Sequence, residues 1–352
     1  MDDERIRALL TKRGFYAVRS AALSALMQVY REKIPAAHRK ETGSYAWLMS
    51  AHGLVVMGAL PIEPLPVPEQ NSYDPVGLIA PFAQKNYYKE AVKRLQSAAS
   101  VIRAETGLAK QDIRIFVNSS LPEKEIAEAL GVGFIGKNSL LITRETGSRC
   151  ILAGMVIHAK ETSIPVRSRS IDPVPYGCGN CTICMQQCPT GAIVSPGIVD
   201  HTTCIQGLAA QNVPVTPDIM ALWDGRLYGC RSCQDHCPYN RRTVPGVDTS
   251  IGFIGPTLSL SFVLTSSAEQ LTAFFRKTVL GMRWIDLRAI QRNAIIAAGN
   301  LRAGALLPPL QSIKNSGDEV LRQTAAWAIE MIEIGSNEAK NTLQLRSRSS
   351  QL

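Results

Sequence analysis

Eight of the nine cysteines fall into two spaced motifs. The first is Cys178-x2-Cys181-x2-Cys184-x3-Cys188-Pro189. The second is Cys204, followed by Cys230-x2-Cys233-x3-Cys237-Pro238. Three thiolates at CxxCxxC spacing can wrap three corners of one iron–sulfur cubane. A fourth, held off by the x3-Pro turn, points to a second cubane. Carrying that exchange through both motifs gives Cys178, Cys181, Cys184 and Cys237 to one [4Fe–4S] cluster, and Cys188, Cys204, Cys230 and Cys233 to the other. A pair of zinc sites is the alternative, but zinc ribbons seldom use a run of four cysteines ending in Pro. Cys150, in the apolar context Cys150-Ile151-Leu152, reads as a buried and inert thiol.

The segment that carries this array is rich in Pro, Gly and Cys and weak in periodicity from 166 to 245. It buries little apolar surface, so metal ligation is expected to hold it together as a two-cluster ferredoxin-like module. Residues 1–165 alternate helical and strand-like stretches, as in an α/β domain. Val92, Leu95, Ala99 and Ile102 recur at helical spacing, while Arg114-Ile115-Phe116-Val117 and Ile151 to Ile157 read as buried strands. Residues 246–340 are mostly helical. Stretches at Ala289 to Leu301 and Glu319 to Ile332 flank a segment, Ala305 to Ile313, broken by Pro308-Pro309. Ala-rich helix pairs of this kind look like HEAT-type repeats. The polar tail, 341–352, is expected to be disordered. The chain thus reads as multidomain α+β.

Bulk properties bound the function. The 352 residues are 45% hydrophobic and 19% charged, ordinary for a globular protein and ample for several cores. No apolar run has the ~18 residues a membrane span needs. Met1-Asp2-Asp3-Glu4-Arg5 opens no signal peptide, so a cytoplasmic location is expected, where cysteines stay reduced and serve metals or redox chemistry. The net charge of +9 suits a phosphate-rich partner such as nucleic acid, although solubility alone also explains it. Arg276, Lys277, Arg283, Arg288, Arg292, Arg302, Lys314 and Arg322 fall in the helical third, as a polyanion grip or as solvated helix faces. His38, His52, His158, His201 and His236 are scattered and read as surface or core residues.

Several further segments point to one family. They include Gly77-Leu78-Ile79-Ala80, Asn86-Tyr87-Tyr88, Phe116-Val117-Asn118-Ser119, and Gly131-Val132-Gly133-Phe134-Ile135-Gly136-Lys137-Asn138. Others are Cys188-Pro189-Thr190-Gly191-Ala192-Ile193, Tyr228-Gly229-Cys230, Cys237-Pro238-Tyr239-Asn240 and Arg292-Asn293-Ala294. On these the chain resembles the epoxyqueuosine reductases, cobalamin-dependent iron–sulfur enzymes of tRNA queuosine synthesis. The first 70 residues match poorly. The resemblance implies a cobalamin-binding domain over 1–165, bound base-off without a histidine ligand, against which the ferredoxin-like module sits. It implies C-terminal repeats that help grip a tRNA anticodon stem-loop, a low-potential electron donor and a monomer. The implied reaction reduces an epoxide on a tRNA base to an alkene with loss of water. The cofactor-lining positions it implies are Asn118, Gly133, Phe134, Lys137, Asn138, Ser139, Leu141 and Gln206.

The sequence also departs from the family. Asn118 stands where the family keeps an aspartate proton donor, and an amide cannot donate a proton as a carboxylic acid does. Asn86-Tyr87-Tyr88 replaces Asp-Tyr-His, Ala153-Gly154 replaces Gly-Glu, Gln206-Gly207 replaces Ser-Tyr, and Arg231-Ser232 replaces Asp-Asp. Tyr87, Tyr88, Glu123 and His158 are the alternative acids. Relatives acting on another substrate, or only transferring electrons, are the competing readings.

Overall fold

A computed structural model describes residues 1–26, 28, 53–69, 73–158, 174–241 and 244–349, the last stretch by backbone alone from 336. His38, His52 and the expected boundary near 165 lie outside the described residues.

The longest apolar run of the N-terminal part forms the centre of its sheet. Helix α1 (Asp3–Thr11) and strand β1 (Tyr16–Ala22) lead to β2 (Leu54–Pro61), every residue of which is buried. Strand β3 (Val76–Ile79) belongs to another sheet and is followed by α2 (Tyr87–Thr106). Asn86 caps α2 by accepting from Lys89 N at 3.1 Å, and Gly107 ends it in the left-handed conformation. Next come β4 (Ile113–Val117), α3 (Glu123–Ala129), the short hairpin β5 (Phe134–Ile135) and β6 (Leu141–Ile142), and β7 (Cys150–Ile157). The sheet order is β1-β2-β7-β4, and every pairing is antiparallel. This part of the chain is therefore α+β rather than the α/β expected from alternating segments. Its neighbours pair directly, without the crossovers a parallel sheet requires. Helix α2 covers one face with Tyr87, Ala91, Leu95, Ala98 and Ile102, and Ile126 of α3 packs on the other.

The cysteine region has little regular structure, as its composition predicts. Strands β8 (Ile193–Ser195) and β9 (Ile198–Val199) form a small hairpin, and single helical turns occur at 183–186 and 232–235. Strand β10 (Arg226–Tyr228) then pairs in parallel with β3, and β11 (Thr257–Ser259) pairs antiparallel on its other side. This three-stranded sheet joins the N-terminal part to the rest, so the linear segments interleave in space. Ile79 and Ala83 belong to the same core as Trp223, Leu227 and Ile290.

The C-terminal part contains helices α4 (Leu260–Thr265), α5 (Leu287–Asn300), α6 (Leu307–Lys314) and α7 (Glu319–Ser349), with a further short helix over Ala268–Phe275 between α4 and α5. Pro308 and Pro309 sit in the first turn of α6, where their missing N–H groups cost nothing, so they start a helix rather than break one. Helix α7 continues to Ser349 through most of the tail expected to be disordered; Glu338-Ala339-Lys340 and Leu343-Gln344-Leu345-Arg346 are good helix formers, with no Gly or Pro to stop them. Among the described residues no helix is long and apolar enough to cross a membrane.

One polar pair anchors α5. Arg292 and Asn293 are fully buried. Arg292 donates to the carbonyls of Leu208, Gln211 and Val213 at 2.7–2.8 Å and lies 5.4 Å from the Trp223 ring centre. Asn293 Nδ2 donates to Ala209 and Leu227 at 2.9 and 3.0 Å. Burial lowers the Arg292 pKa to about 10, against the opposing pull of Asp286, so the guanidinium stays charged at neutral pH. Its charge is solvated by carbonyls in place of water. Arg292→Ala strands those carbonyls and should destabilise this unit by about 3 kcal/mol or more. The check is urea unfolding followed by far-UV circular dichroism; an unchanged midpoint would show that the loop at 208–213 does not need the guanidinium.

Candidate functional site

The two cysteine runs, distant in sequence, meet across the hairpin β5–β6. Cys178, Cys181 and Cys184 line one small cavity together with Cys237 from the second run. The Cys184 thiol is pushed up by burial and by the adjacent thiols of Cys178, Cys237 and Cys181. Cys188, Cys204, Cys230 and Cys233 gather beside a second, larger space. Burial, with the neighbouring Cys230, Cys204, Cys184 and Cys188, pushes Cys233 up to about 12. Such thiols are hard to ionise alone and favour a cationic partner that neutralises them. None of the nine cysteines forms a disulfide. Among the described residues, no three His, Cys, Asp or Glu side chains converge tightly enough to hold a single metal ion.

The hairpin shapes the first cavity. Lys137 N donates to Cys178 Sγ at 3.4 Å, and Lys137 Nζ to the Gly179 carbonyl at 2.8 Å. Phe134 packs edge-on against Tyr176 and Tyr239, with centroids 5.6 and 5.3 Å apart. Gly133 faces the Ile142 carbonyl so closely that a Cβ would lie 2.3 Å from it. Packing within the hairpin therefore leaves no room for a side chain at this position. Gly133, Phe134 and Lys137 thus support the first cysteine set, and none of them lines the larger cavities.

Those cavities adjoin. One, of about 440 Å³, lies between the ends of the strands and the second cysteine set. Its lining is mainly apolar, with Phe82, Leu140, Ile193 and Ile205, and includes the polar groups of Lys124, Asn138, Ser139 and Gln206. Gln206 Oε1 accepts from Cys230 N at 3.2 Å, and its side chain is hydrogen-bonded to Tyr228. The other cavity, of about 340 Å³, is lined by Asn118, Ser119, Glu123, Leu141 and Leu152. Tyr88, Lys124, Leu140, Ser148, Cys150 and Ile151 line both. Asn138, Ser139 and Gln206 thus meet at the first cavity, and Asn118 and Leu141 at the second.

Asn118 ends β4 with φ +47°, a left-handed conformation that Asn tolerates better than most residues. The Glu123 carboxylate fixes the turn, accepting from Asn118 N at 3.0 Å and Ser119 N at 2.7 Å. Burial pushes the Glu123 pKa up, and the N–H bonds from Ser119 and Asn118 partly oppose it. Lys124 Nζ ties this helix to the 136–140 turn through the Ser139 carbonyl and hydroxyl, at 2.9 and 3.2 Å. Tyr88 is held far above the ordinary phenol range by burial. Tyr87 is instead turned to the backbone of Glu63, and His158 lies at the far end of β7, its N donating to Asp112.

Sequence reasoning overlooked three lining residues. Cys150, its thiol pushed up to about 11 by burial, sits between the cavities at the start of β7. Phe82 follows β3, and His201 precedes Cys204 by three residues. The only advance signal was their nearness in sequence to segments already singled out. The Asp-to-Asn change at 86 is structural: the buried amide caps α2 and also donates to the Lys277 carbonyl at 3.1 Å, which a carboxylate could not do.

Known proteins share these features. Residues 177–240 match the model of a 4Fe-4S double cluster binding domain. The epoxyqueuosine reductase of Shewanella oneidensis is 32% identical over 76% of this chain and 68% of its own. That of Salmonella typhimurium is 35% identical over 82% of this chain and 77% of its own. Among solved structures, an epoxyqueuosine reductase from Streptococcus thermophilus superposes with a TM-score of 0.75 at 23% identity, covering 94% of this chain and 90% of that one. Another, an epoxyqueuosine reductase with an epoxyqueuosine-modified tRNA-Tyr stem loop, gives a TM-score of 0.73 at 24% identity over 94% and 89%. These superpositions establish the common fold. Identity of this level, sustained over more than two thirds of both partners, makes the chain a member of the epoxyqueuosine reductase family.

Proposed function

We propose that the protein reduces the epoxide of an epoxyqueuosine-type tRNA base to an alkene, with two [4Fe–4S] clusters and cobalamin as cofactors. The observation that carries this is the second cysteine set opening into a large, mainly apolar cavity beside a smaller polar one. Cys178, Cys181, Cys184 and Cys237 would hold one cluster, and Cys188, Cys204, Cys230 and Cys233 the other. Thiols spread around a cavity, rather than converging on one point, suit a cubane with a ligand at each corner. The Lys137 N–H directed at Cys178 Sγ suits a thiolate there.

The larger cavity fits a corrinoid in its chemistry. Phe82, Leu140 and Ile205 offer apolar walls, while Asn138, Ser139 and Gln206 offer hydrogen bonds to peripheral amides. Bound there, cobalamin supplies the reducing chemistry at the epoxide, and a low-potential donor refills the clusters one electron at a time. The HEAT-like C-terminal helices and the cobalamin-binding role of the N-terminal sheet belong to the same proposal.

The chain's own task is to place the base and give it a proton. Asn118, at the mouth of the second cavity, can orient the base by hydrogen bonds. Of the four alternative acids, only Tyr88 and Glu123 line the cavities, and Tyr88 is too weak an acid. Glu123 is half-buried and its pKa is raised by that desolvation, so it keeps its proton to higher pH than an ordinary carboxyl. A relative that acts on another substrate is the second reading, favoured by the amide at 118 alone.

Three outcomes follow. Anaerobic loading should give about eight irons per chain. The double variant C178S/C237S should retain about four, because both changes fall in one set, whereas C178S/C233S should retain far fewer. Equal iron in the two doubles would end the crossed assignment. Glu123→Gln should lower epoxide reduction by about 10²–10⁴-fold. In the unsubstituted protein the rate should fall as pH rises through the raised Glu123 pKa; a rate insensitive to E123Q removes Glu123 as donor. Asn118→Asp should restore an acid and rescue much of the E123Q loss. Absence of turnover in both the parent and N118D would favour the second reading.

A further inference from the structure

We propose that Trp284 and Phe253, with the neighbouring cations Arg276, Lys277 and Arg283, form a stacking platform for unpaired RNA bases flanking the nucleotide that enters the cavity. The inference rests on the reading of an RNA substrate given above.

Trp284 is 48% exposed and Phe253 58%, leaving two large apolar rings open to a ligand. Trp284 is not remote from the site. Its ring meets Tyr88 edge-on at 6.2 Å, and Tyr88 lines both cavities. Trp284 therefore packs against a residue of the cavity wall.

The platform is braced. The Lys277 carbonyl accepts from Asn86 Nδ2 at 3.1 Å, and Asn86 immediately precedes the Tyr87-Tyr88 pair. Gly252, next to Phe253, has φ +57° and packs directly on that same carbonyl. One backbone oxygen thus locks the Phe253 turn, the loop leading to Trp284 and the start of α2 together. A rigid aromatic surface loses little entropy when a base stacks on it.

Charge selects the ligand. Arg276, Lys277 and Arg283 are exposed, and none forms an ion pair among the described residues. Of their companions in the helical third, Arg288 pairs with Asp286 and Asp318, Arg322 pairs with Glu319, and Arg292 is buried, while Lys314, at the end of α6, is exposed as they are. Arg283 is the chain neighbour of Trp284, and the Lys277 carbonyl meets the Gly252 turn that carries Phe253, so an exposed cation accompanies each exposed ring. Alternating cations and aromatic faces match the phosphates and bases of a single-stranded segment, whereas a paired helix hides its base faces.

The experiment uses the cluster-loaded full chain and two labelled RNAs of equal length, an unmodified hairpin with an open loop and a blunt duplex. Trp284→Ala should weaken hairpin binding roughly tenfold and leave the duplex unchanged, while Trp284→Phe keeps most of the affinity. The K277E/R283E variant should weaken both RNAs and flatten the salt dependence. Iron content and circular dichroism report whether each variant folds, and W284F carries the test if W284A does not: its hairpin-over-duplex preference should then stay near that of the unsubstituted protein, and loss of that preference overturns the inference. Unchanged hairpin affinity in folded W284A overturns it. So does a W284A defect confined to electron delivery or self-association, which would make the patch a protein-docking surface. Epoxide turnover is measured in parallel: Trp284-dependent binding without turnover keeps the platform and removes the proposed reaction, and turnover with Trp284-independent binding does the reverse.

Discussion

The arrangement of the whole site depends on the pairing of β3 with β10. Ala80 N donates to the Tyr228 carbonyl at 2.9 Å, and Phe82 packs on Tyr228 with ring centres 5.9 Å apart. Beyond β3 the chain runs directly into Phe82 and Tyr88. Beyond β10 it runs directly into Gly229 and Cys230. The pairing therefore sets two cavity walls opposite each other, one aromatic and one bearing thiols. Gly229 has φ +90°, and a Cβ there would lie 2.5 Å from Ala80 Cβ, so the close approach of the two strands requires glycine. Arg292 and Asn293 reinforce the same junction from α5, since Asn293 bonds the Leu227 carbonyl within β10.

The division of labour among the cavities follows. The hairpin β5–β6 shelters one cysteine set under aromatic rings. The second set stays open toward the apolar space. The turn at Ser139, pinned by Lys124, lines that space, and the turn at Asn118, pinned by Glu123, lines the adjoining polar cavity. Both turns contain a non-glycine residue in the left-handed region, Asn118 and Ser139, each held there by an adjacent helix-borne side chain. Backbone strain of this kind, costing about 1–3 kcal/mol per position, persists only where such contacts hold it.

The legible and illegible parts of the sequence divide by range. The cysteine motifs could be read because thiol spacing is a local property and so is the turn after each Cys-Pro. Strands β4 and β7 and helix α2 were legible from periodicity, for the same reason. The direction of strand pairing was not, because β2, β4 and β7 meet through contacts that no local pattern encodes. The Gly-Val-Gly-Phe segment could be matched as a motif, but the Ile142 backbone that approaches Gly133 is eight or more residues on and invisible to it. Cys150, Phe82 and His201 join the lining only through tertiary packing. Pro308-Pro309 was misread because the same residues break a helix interior and open a helix start, and only the flanking turn decides between them.

The interleaved small sheet also bears on how the protein matures. Strand β3 emerges early from the ribosome, yet both of its partners lie in the last 130 or so residues of the chain. Until β10 and β11 are made, its edges have no pairing partner, and such distant contacts form slowly because loop closure must precede them. The cavity therefore acquires its thiol wall late in synthesis.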